Sequence, residues 1–327
     1  MTLATYYQTV GDAQAVLKTG EKPLPGPGAG EVQVRMMASG VNPSDVKKRA
    51  GARGEISDAF IIPHSDGAGV VDEIGSGVDD AWLGQRVWVC EAQHGRAFGT
   101  CAHECVVPVA LIHPLPDNTS FVEGAAIPIP MMTAHRCLTS SGDARGKRIL
   151  VTGASGRVGY YAVQMAREMG AEVVATVGSD AERTDSNNLG ASHAFNFRDA
   201  SHIEAMLDAL GAASLDLIVD VEFGENCSRY LPLLKDNAVI ASYSSSRAPT
   251  LTINFYDLMF RNIFVHPVLV YSMPDQAKTD AKASINDMLE RGAIQHRIAH
   301  CVGLDRTAHA HELIESGCKG SVIVETQ

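Results

Sequence analysis

The sequence has no long hydrophobic run. The longest candidate, Ile263–Tyr271, reaches about half of the roughly 18 residues that a membrane-spanning helix needs, and it contains His266 and Pro267. The first residues, Met1–Tyr7, contain no basic segment followed by an apolar core, so we expect no secretion signal. The seven cysteines are odd in number and scattered, which excludes a disulfide framework. A reducing cytoplasm is therefore the expected location.

Positive charge is also scarce. Charged residues make up 20% of the chain and the formal net charge is −11, which disfavours general attraction to nucleic acid or to an anionic membrane. The hydrophobic fraction of 45% is ordinary for a globular protein, and 327 residues suffice for two domains. We expect a partner of small-molecule type, a substrate, and neither nucleic acid nor membrane.

The first third of the chain is rich in glycine, proline and valine and contains short alternating runs. Val32–Met36, Gly69–Ile74 and Arg86–Val89 are typical of strands, and clusters such as Pro25–Gly28 separate them. Short strands at close spacing predict a small, irregular barrel.

The middle of the chain alternates apolar strand patterns with helical ones, which predicts a parallel sheet with helices on both faces. The predicted strands are Arg148–Thr152, Glu172–Val177, Leu215–Asp220, Ala238–Ser242 and Ile263–His266, and the predicted helices are Val158–Met169 and Ala200–Leu210. The tail contains two predicted helices and a closing strand, and it is too short to fold alone. We expect it to pack on the first region.

The strongest local signal is the run from Gly153 to Gly159, which follows a predicted strand and opens a predicted helix. The first glycine suits a tight turn, Gly156 lets the backbone approach a pyrophosphate, and Gly159 lets the helix pack on the strand. Free amides at the helix start favour phosphate. The predicted dinucleotide contacts are Gly153, Ala154, Ser155, Gly156, Arg157, Val158 and Gly159.

The second predicted strand ends at Gly178 and Ser179, with no carboxylate at the strand tip itself. An acidic residue there would hold the ribose 2′-hydroxyl of NAD, whereas a small Gly-Ser pair leaves room for the 2′-phosphate of NADP. This pattern favours NADP(H), and Asp180, one or two places late, keeps NAD open.

Several motifs, in order and at consistent spacing, resemble those of the medium-chain dehydrogenases/reductases, in the zinc-independent quinone oxidoreductase or zeta-crystallin-like branch. They are Gly40–Asp45, Pro63–Val71, Gly84–Val87, Thr133–His135 and Gly146–Gly159. The resemblance covers nearly the whole chain. It implies an α/β fold, with a Rossmann doubly wound parallel sheet in residues 123–271 and a GroES-like, mostly β substrate domain in residues 1–122 plus 272–327.

The resemblance also implies hydride transfer from a nicotinamide to a quinone or an electron-poor double bond. Asn42 and Thr133 match positions that approach the nicotinamide end in this family. Asn42 is equally consistent with a turn cap, and Thr133 with the first residues of a helix. The apolar run at Ile263–Tyr271 predicts a homodimer formed by edge strands, although Pro267 cannot donate to such a ladder.

The sequence departs from zinc-dependent relatives at the ligand positions. Asn42 stands where they have a cysteine, and Ser65 stands where they have a histidine, with His64 one place early. Cys101 and Cys105 fall in a strand pattern, where residues four apart lie about 13 Å from each other and do not converge on one ion. We therefore expect no metal.

The sequence also departs from relatives in the cofactor region. Glu182 replaces a lysine that lies near the 2′-phosphate, and Phe197 replaces a tyrosine; Arg183 or Arg198 can substitute. Two other functions stay open. One is an enoyl-thioester reductase, and the other is a non-catalytic structural protein that keeps the fold and the nucleotide.

Overall fold

The computed structural model describes all 327 residues. The strands are β1 Thr2–Tyr6, β2 Lys18–Lys22, β3 Glu31–Val41, β4 Asp66–Ile74, β5 Arg86–Val89, β6 Glu104–Pro108, β7 Ile112–Pro114, β8 Arg148–Val151, β9 Glu172–Val177, β10 His193–Asn196, β11 Leu215–Asp220, β12 Leu234–Ser242, β13 Phe264–Pro267, β14 Ile298–Gly303 and β15 Ser321–Glu325. The helices are α1 Ala13–Val16, α2 Pro43–Arg49, α3 Phe121–Ala126, α4 Pro128–Leu138, α5 Arg157–Glu168, α6 Asp180–Asn188, α7 His202–Leu210, α8 Phe223–Tyr230, α9 Phe255–Met259, α10 Asp275–Glu290 and α11 Thr307–Glu315. No helix is both long and apolar enough to cross a bilayer.

The chain divides into two compact units, one of residues 1–129 with 282–327 and one of residues 130–281. The division falls inside α4 and inside α10. The domain limits expected from the sequence, 1–122 plus 272–327 and 123–271, stay a prediction.

The second unit is built on a six-stranded sheet in the order β10-β9-β8-β11-β12-β13, in which every pair is parallel. This is the strand order 3-2-1-4-5-6 of a doubly wound dinucleotide-binding fold. Leu150, Val174, Ile218 and Ile240, from the four inner strands, are buried together in one apolar cluster. The parallel sheet predicted from the sequence is confirmed.

The first unit is a mostly antiparallel assembly of short strands, as predicted. Its seven-stranded sheet runs β14-β15-β3-β4-β5-β7, with β6 also pairing with β3. Valines that alternate along β3, such as Val32 and Val34, pack on Val71, Val87 and Val107 in a fully buried cluster. The long strand β3 organises this unit, because β4, β6 and β15 all pair with it.

Helix α11 is attached to the first unit by buried polar contacts. Thr307 at its start lies 3.0 Å from the Thr5 hydroxyl, and Glu315 at its end pairs with Arg49, whose side chain is 1% exposed. Between them, Nε2 of His311 lies 3.0 Å from Nε2 of His64. Buried polar groups need such partners, because an unpaired one costs the free energy of its lost hydration.

The two buried histidines are both held neutral. Burial lowers the pKa of His64 to about 3. Burial, with the charges of His64 and Arg49, lowers the pKa of His311 well below its usual range. In the unfolded chain both take up protons near pH 6.5.

We therefore expect acid to destabilise this unit. A histidine whose pKa is lowered by folding contributes stability that is complete above about pH 6.5 and is lost as the pH falls toward the folded value. Each buried histidine should cost about 2 kcal/mol of unfolding free energy between pH 6.5 and 5. Denaturant unfolding across this range measures the slope. His311→Gln should reduce the slope, whereas His309→Gln, on an exposed side of the same helix, should not; equal slopes in all three proteins would contradict the assignment.

Candidate functional site

The glycine turn joins β8 to α5 at the carboxyl edge of the parallel sheet. Gly153 has a φ of 61°, and a Cβ built there would lie 2.9 Å from Val221. A Cβ on Gly159 would lie 2.5 Å from the carbonyl oxygen of Gly153. Only glycine allows this approach of α5 to the turn, as the sequence predicts.

Helix α5 begins at this turn without a side-chain cap. Gly156 is its N-cap residue, and no side chain there accepts a hydrogen bond from the first turn. The backbone N–H groups of its first turn and the helix dipole of this 12-residue helix therefore favour an anion at its start. A Cβ on Gly156 would lie 3.2 Å from the Gly153 oxygen, so the turn is already tight around bare backbone. These residues fit the pyrophosphate of a dinucleotide.

Asp220 supports the turn from the neighbouring strand β11. Its carboxylate accepts hydrogen bonds from the Thr152 hydroxyl at 2.8 Å and from the Asn226 side chain at 2.7 Å. Burial raises the pKa of this carboxyl, and the two hydrogen bonds oppose that rise. Asp220 was not predicted as a site residue from the sequence. Its position at the end of an apolar strand was the pattern that could have indicated it.

A carboxylate lies at the tip of β9, contrary to the premise taken from the sequence. The Glu182 side chain accepts a hydrogen bond from the backbone amide of Gly178 at 2.8 Å and another from the Ser155 hydroxyl at 2.7 Å. It comes from the first turn of α6, whose N-cap Ser179 accepts from the Glu182 amide. Glu182 reaches the strand tip because the first turn of α6 directs its side chain back toward the end of β9.

The two arginines expected near the 2′ position stand in different settings. Arg183 pairs with Asp180 on the outer side of α6, and the Asp180 side chain is 81% exposed. Arg198 is exposed just after β10. The ring of Phe197 lies 3.5 Å from the place of a Cβ on Gly178, beside the tip of β9.

In the first unit, Asn42 is buried at the junction of β3 and α2 and caps that helix. Its side chain accepts from the amide of Asp45, and the Asp45 carboxylate accepts from the Asn42 amide at 2.8 Å. The Asn42 side-chain amide also donates to Asp66 at 2.7 Å. The turn-cap interpretation therefore applies, and it leaves one N–H of the NH₂ group for a ligand.

Asp66 at the start of β4 fixes this amide in place. One of its oxygens accepts from Asn42 and, at 3.0 Å, from the backbone amide of Ile129, while the other is buried without a hydrogen-bond partner. Burial raises the pKa of Asp66 well above its usual range, although the bond from Asn42 opposes this. Gly40 pairs with Asp66 across the sheet, which brings Asn42 and Asp66 together. The contact between Asn42 and Asp66 was not predicted from the sequence.

Thr133 lies in the second unit, and its expected position needs correction. Helix α4 begins at Pro128, so Thr133 is buried in the middle of a helix and is not a helix-start residue. Pro128 and Pro130 lie in the first turn of α4, where proline is tolerated.

The histidine next to a zinc-ligand position and the two cysteines Cys101 and Cys105 are engaged in other contacts. Nδ1 of His64 lies 2.8 Å from the Ser39 hydroxyl, and its Nε2 faces His311. Cys101 contacts the Thr307 hydroxyl at 3.4 Å, and Cys105 is buried in β6 among apolar side chains. No three His, Cys, Asp or Glu side chains converge as a metal site would require.

Comparison with known proteins gives two family matches. A model described as "Zinc-binding dehydrogenase" matches residues 158–287, and a model described as "Alcohol dehydrogenase GroES-like domain" matches residues 28–117. Quinone oxidoreductase of Rattus norvegicus is 30% identical over 308 residues, which covers 92% of this chain and 91% of that protein. A 2-haloacrylate reductase of a Burkholderia species is 26% identical, covering 88% and 87%. A solved structure, an NAD-dependent alcohol dehydrogenase, is 26% identical, with a TM-score of 0.86 and coverage of 99% and 100%.

The glycine turn gives a direct test of the phosphate site. We expect Gly156→Asp to abolish dinucleotide binding and to leave the fold intact. Aspartate is a favoured N-cap residue, so it would satisfy the α5 amides itself and repel a phosphate. Calorimetric titration measures the binding, and thermal unfolding checks the fold. Ser201→Asp, which adds the same charge at the N-cap of α7, is the control; unchanged affinity in Gly156→Asp would place the site elsewhere.

Proposed function

Since the chain belongs to the quinone oxidoreductase branch of the medium-chain dehydrogenases/reductases, we propose that it reduces a quinone or an α,β-unsaturated carbonyl compound with a nicotinamide dinucleotide and without zinc. The observation that carries this proposal is the uncapped start of α5 beside the glycine turn. When bound, the dinucleotide supplies the hydride, and the protein supplies position and orientation.

The dinucleotide contacts proposed are those of the turn, with Gly178 and Ser179 at the neighbouring strand tip. The sequence pattern favours NADP(H) and makes Arg183 and Arg198 the candidate contacts of its 2′-phosphate. Hydride transfer requires the nicotinamide, and the pyrophosphate anchors the dinucleotide; NADH and NADPH share both groups. The chemistry proposed is therefore independent of the 2′ position.

Asn42 and Thr133 are the residues proposed to act near the nicotinamide. Hydride addition to a conjugated double bond leaves negative charge on the carbonyl oxygen, and a preorganised N–H or O–H donor stabilises such charge. Asn42 has a donor left over after binding Asp66, and its two hydrogen-bonded neighbours hold its plane fixed. Its role is thus to present a donor without reorganisation.

The substrate class is supported by chemistry that the relatives share. The names quinone oxidoreductase and 2-haloacrylate reductase both describe reduction of an electron-poor conjugated compound. Zinc independence is supported by Asn42 and by the buried, hydrogen-bonded His64. The seven cysteines form no disulfide in the structure, which fits the reducing cytoplasm proposed as its location.

Turnover of a substrate panel tests this function. We expect purified protein to oxidise reduced nicotinamide in the presence of quinones, enones or 2-haloacrylate, at a rate that a strong chelator does not change. Loss of reduced-nicotinamide absorbance gives the rate, and elemental analysis gives the zinc content. Preference for an enoyl-CoA thioester would point to the neighbouring reductase class. No turnover despite dinucleotide binding would point to a structural protein, and activity lost with a bound zinc would contradict zinc independence.

We also propose a homodimer formed through β13. This strand closes one edge of the sheet and pairs only with β12, and Phe264 on it is 54% exposed. Helix α9, next to it in sequence, exposes Phe255, and the residue that follows the helix, Phe260, is exposed as well. Apolar side chains on an open sheet edge favour association, and two equal edges pair in a closed, two-fold manner.

Sedimentation of the purified protein at micromolar concentration should therefore give a dimer. Phe264→Lys should shift the sedimentation coefficient toward that of a monomer, because a buried like charge would face its copy. Leu83→Lys changes another exposed apolar residue, in the first unit, and is the control. A wild-type monomer would reject the proposal.

A further inference from the structure

We propose that Glu182 selects NADH over NADPH by accepting a hydrogen bond from the 2′-hydroxyl of the adenosine ribose. This inference rests on the dinucleotide site of the proposed function and goes beyond it by assigning the cofactor. It reverses the preference that the sequence pattern favours. The residue comes from helix α6, whereas the acidic residue of the usual NAD pattern belongs to the strand end.

The Glu182 carboxylate lies between the tip of β9 and the glycine turn. Glu182 bridges the two elements that meet at the adenosine end of such a site: the Gly178 amide at the tip of β9 and the Ser155 hydroxyl in the glycine turn. The two bonds fix the side chain, so its charge is held at the strand tip. Since a carboxylate accepts hydrogen bonds on both oxygens, a ribose hydroxyl can be added to the existing contacts.

The groups that would bind a 2′-phosphate are missing or engaged. The Ser155 hydroxyl donates to Glu182. Phe197, which lies beside Gly178, has no hydroxyl that could donate to a phosphate. The Arg183 guanidinium pairs with Asp180 on the outer side of α6. Asp180 is 81% exposed and pairs with Arg183, so its carboxylate is not held at the strand tip as that of Glu182 is. Arg198 is exposed just after β10.

The electrostatic effect has a definite sign. A 2′-phosphate would bring further negative charge beside the fixed carboxylate. Two unit charges about 6 Å apart, at an effective dielectric constant between about 20 and 80, change an affinity by roughly three- to hundredfold. NADH carries a hydroxyl at this position and gains a charge-assisted hydrogen bond instead. Both effects favour NADH.

Equilibrium binding tests this assignment without turnover. Calorimetric titrations with NAD⁺, NADP⁺, 5′-AMP and 2′,5′-ADP would be compared for the wild type, Glu182→Gln and Glu182→Lys. We expect the wild type to bind NAD⁺ at least about tenfold more tightly than NADP⁺ and to bind 5′-AMP more tightly than 2′,5′-ADP. Glu182→Gln, which keeps the size and one acceptor, should narrow both ratios several-fold, and Glu182→Lys should invert them.

Two variants serve as controls. Asp208→Asn, exposed on α7, removes the same charge and should leave the ratios unchanged. Asp180→Asn tests the other carboxylate near the strand tip; if it narrows the ratios and Glu182→Gln does not, the assignment is overturned. Thermal unfolding of each variant checks that the fold is kept.

The outcomes separate this inference from the proposed function. The role of Glu182 is overturned if the wild type prefers NADP⁺ or if Glu182→Gln leaves the preference unchanged. Neither result contradicts quinone reduction. The expected ratios without turnover on any substrate support Glu182 and reject the reductase. Failure of the folded protein to bind either dinucleotide overturns both.

Discussion

The approach of Gly159 to the carbonyl oxygen of Gly153 is the contact on which the nucleotide end of the chain depends. It fixes where α5 starts relative to β8, and thereby where the uncapped helix end stands. From that position Ser155 reaches Glu182, and Thr152 reaches Asp220. A tight backbone turn therefore sets the placement of the polar groups that meet Glu182 of α6 and Asp220 of β11.

In both units, acidic side chains accept hydrogen bonds that hold neighbouring groups in place. Asp66 holds an amide side chain and a backbone N–H, Glu182 holds a backbone N–H and a hydroxyl, and Asp220 holds a hydroxyl and an amide. Each of these hydrogen bonds orients both of its partners. The net charge of −11 is thus more than a property of the surface: some of the acids that contribute to it organise the candidate site.

The sequence predicts those elements whose burial leaves a continuous apolar pattern. Glu172–Val177 was placed with its observed bounds, whereas the edge strand His193–Asn196, half-exposed and mixed in composition, was missed. Thr133 was expected among the first residues of a helix, whereas α4 begins five residues earlier, at Pro128. The replacement of a lysine by Glu182 was visible in the sequence, but its bond to Gly178 was not, because the direction of a side chain from a helix depends on how that helix leaves the strand.

The position of β15 has a consequence for the order of folding during synthesis. This strand lies between β14 and β3, so residues 321–325 complete a sheet that begins near residue 31. The stretch of β3 from Ala38 to Val41 lacks this partner until β15 has been synthesised, and unpaired strand edges recruit other strands. Prompt pairing of β15 with β3 therefore protects nascent copies from association.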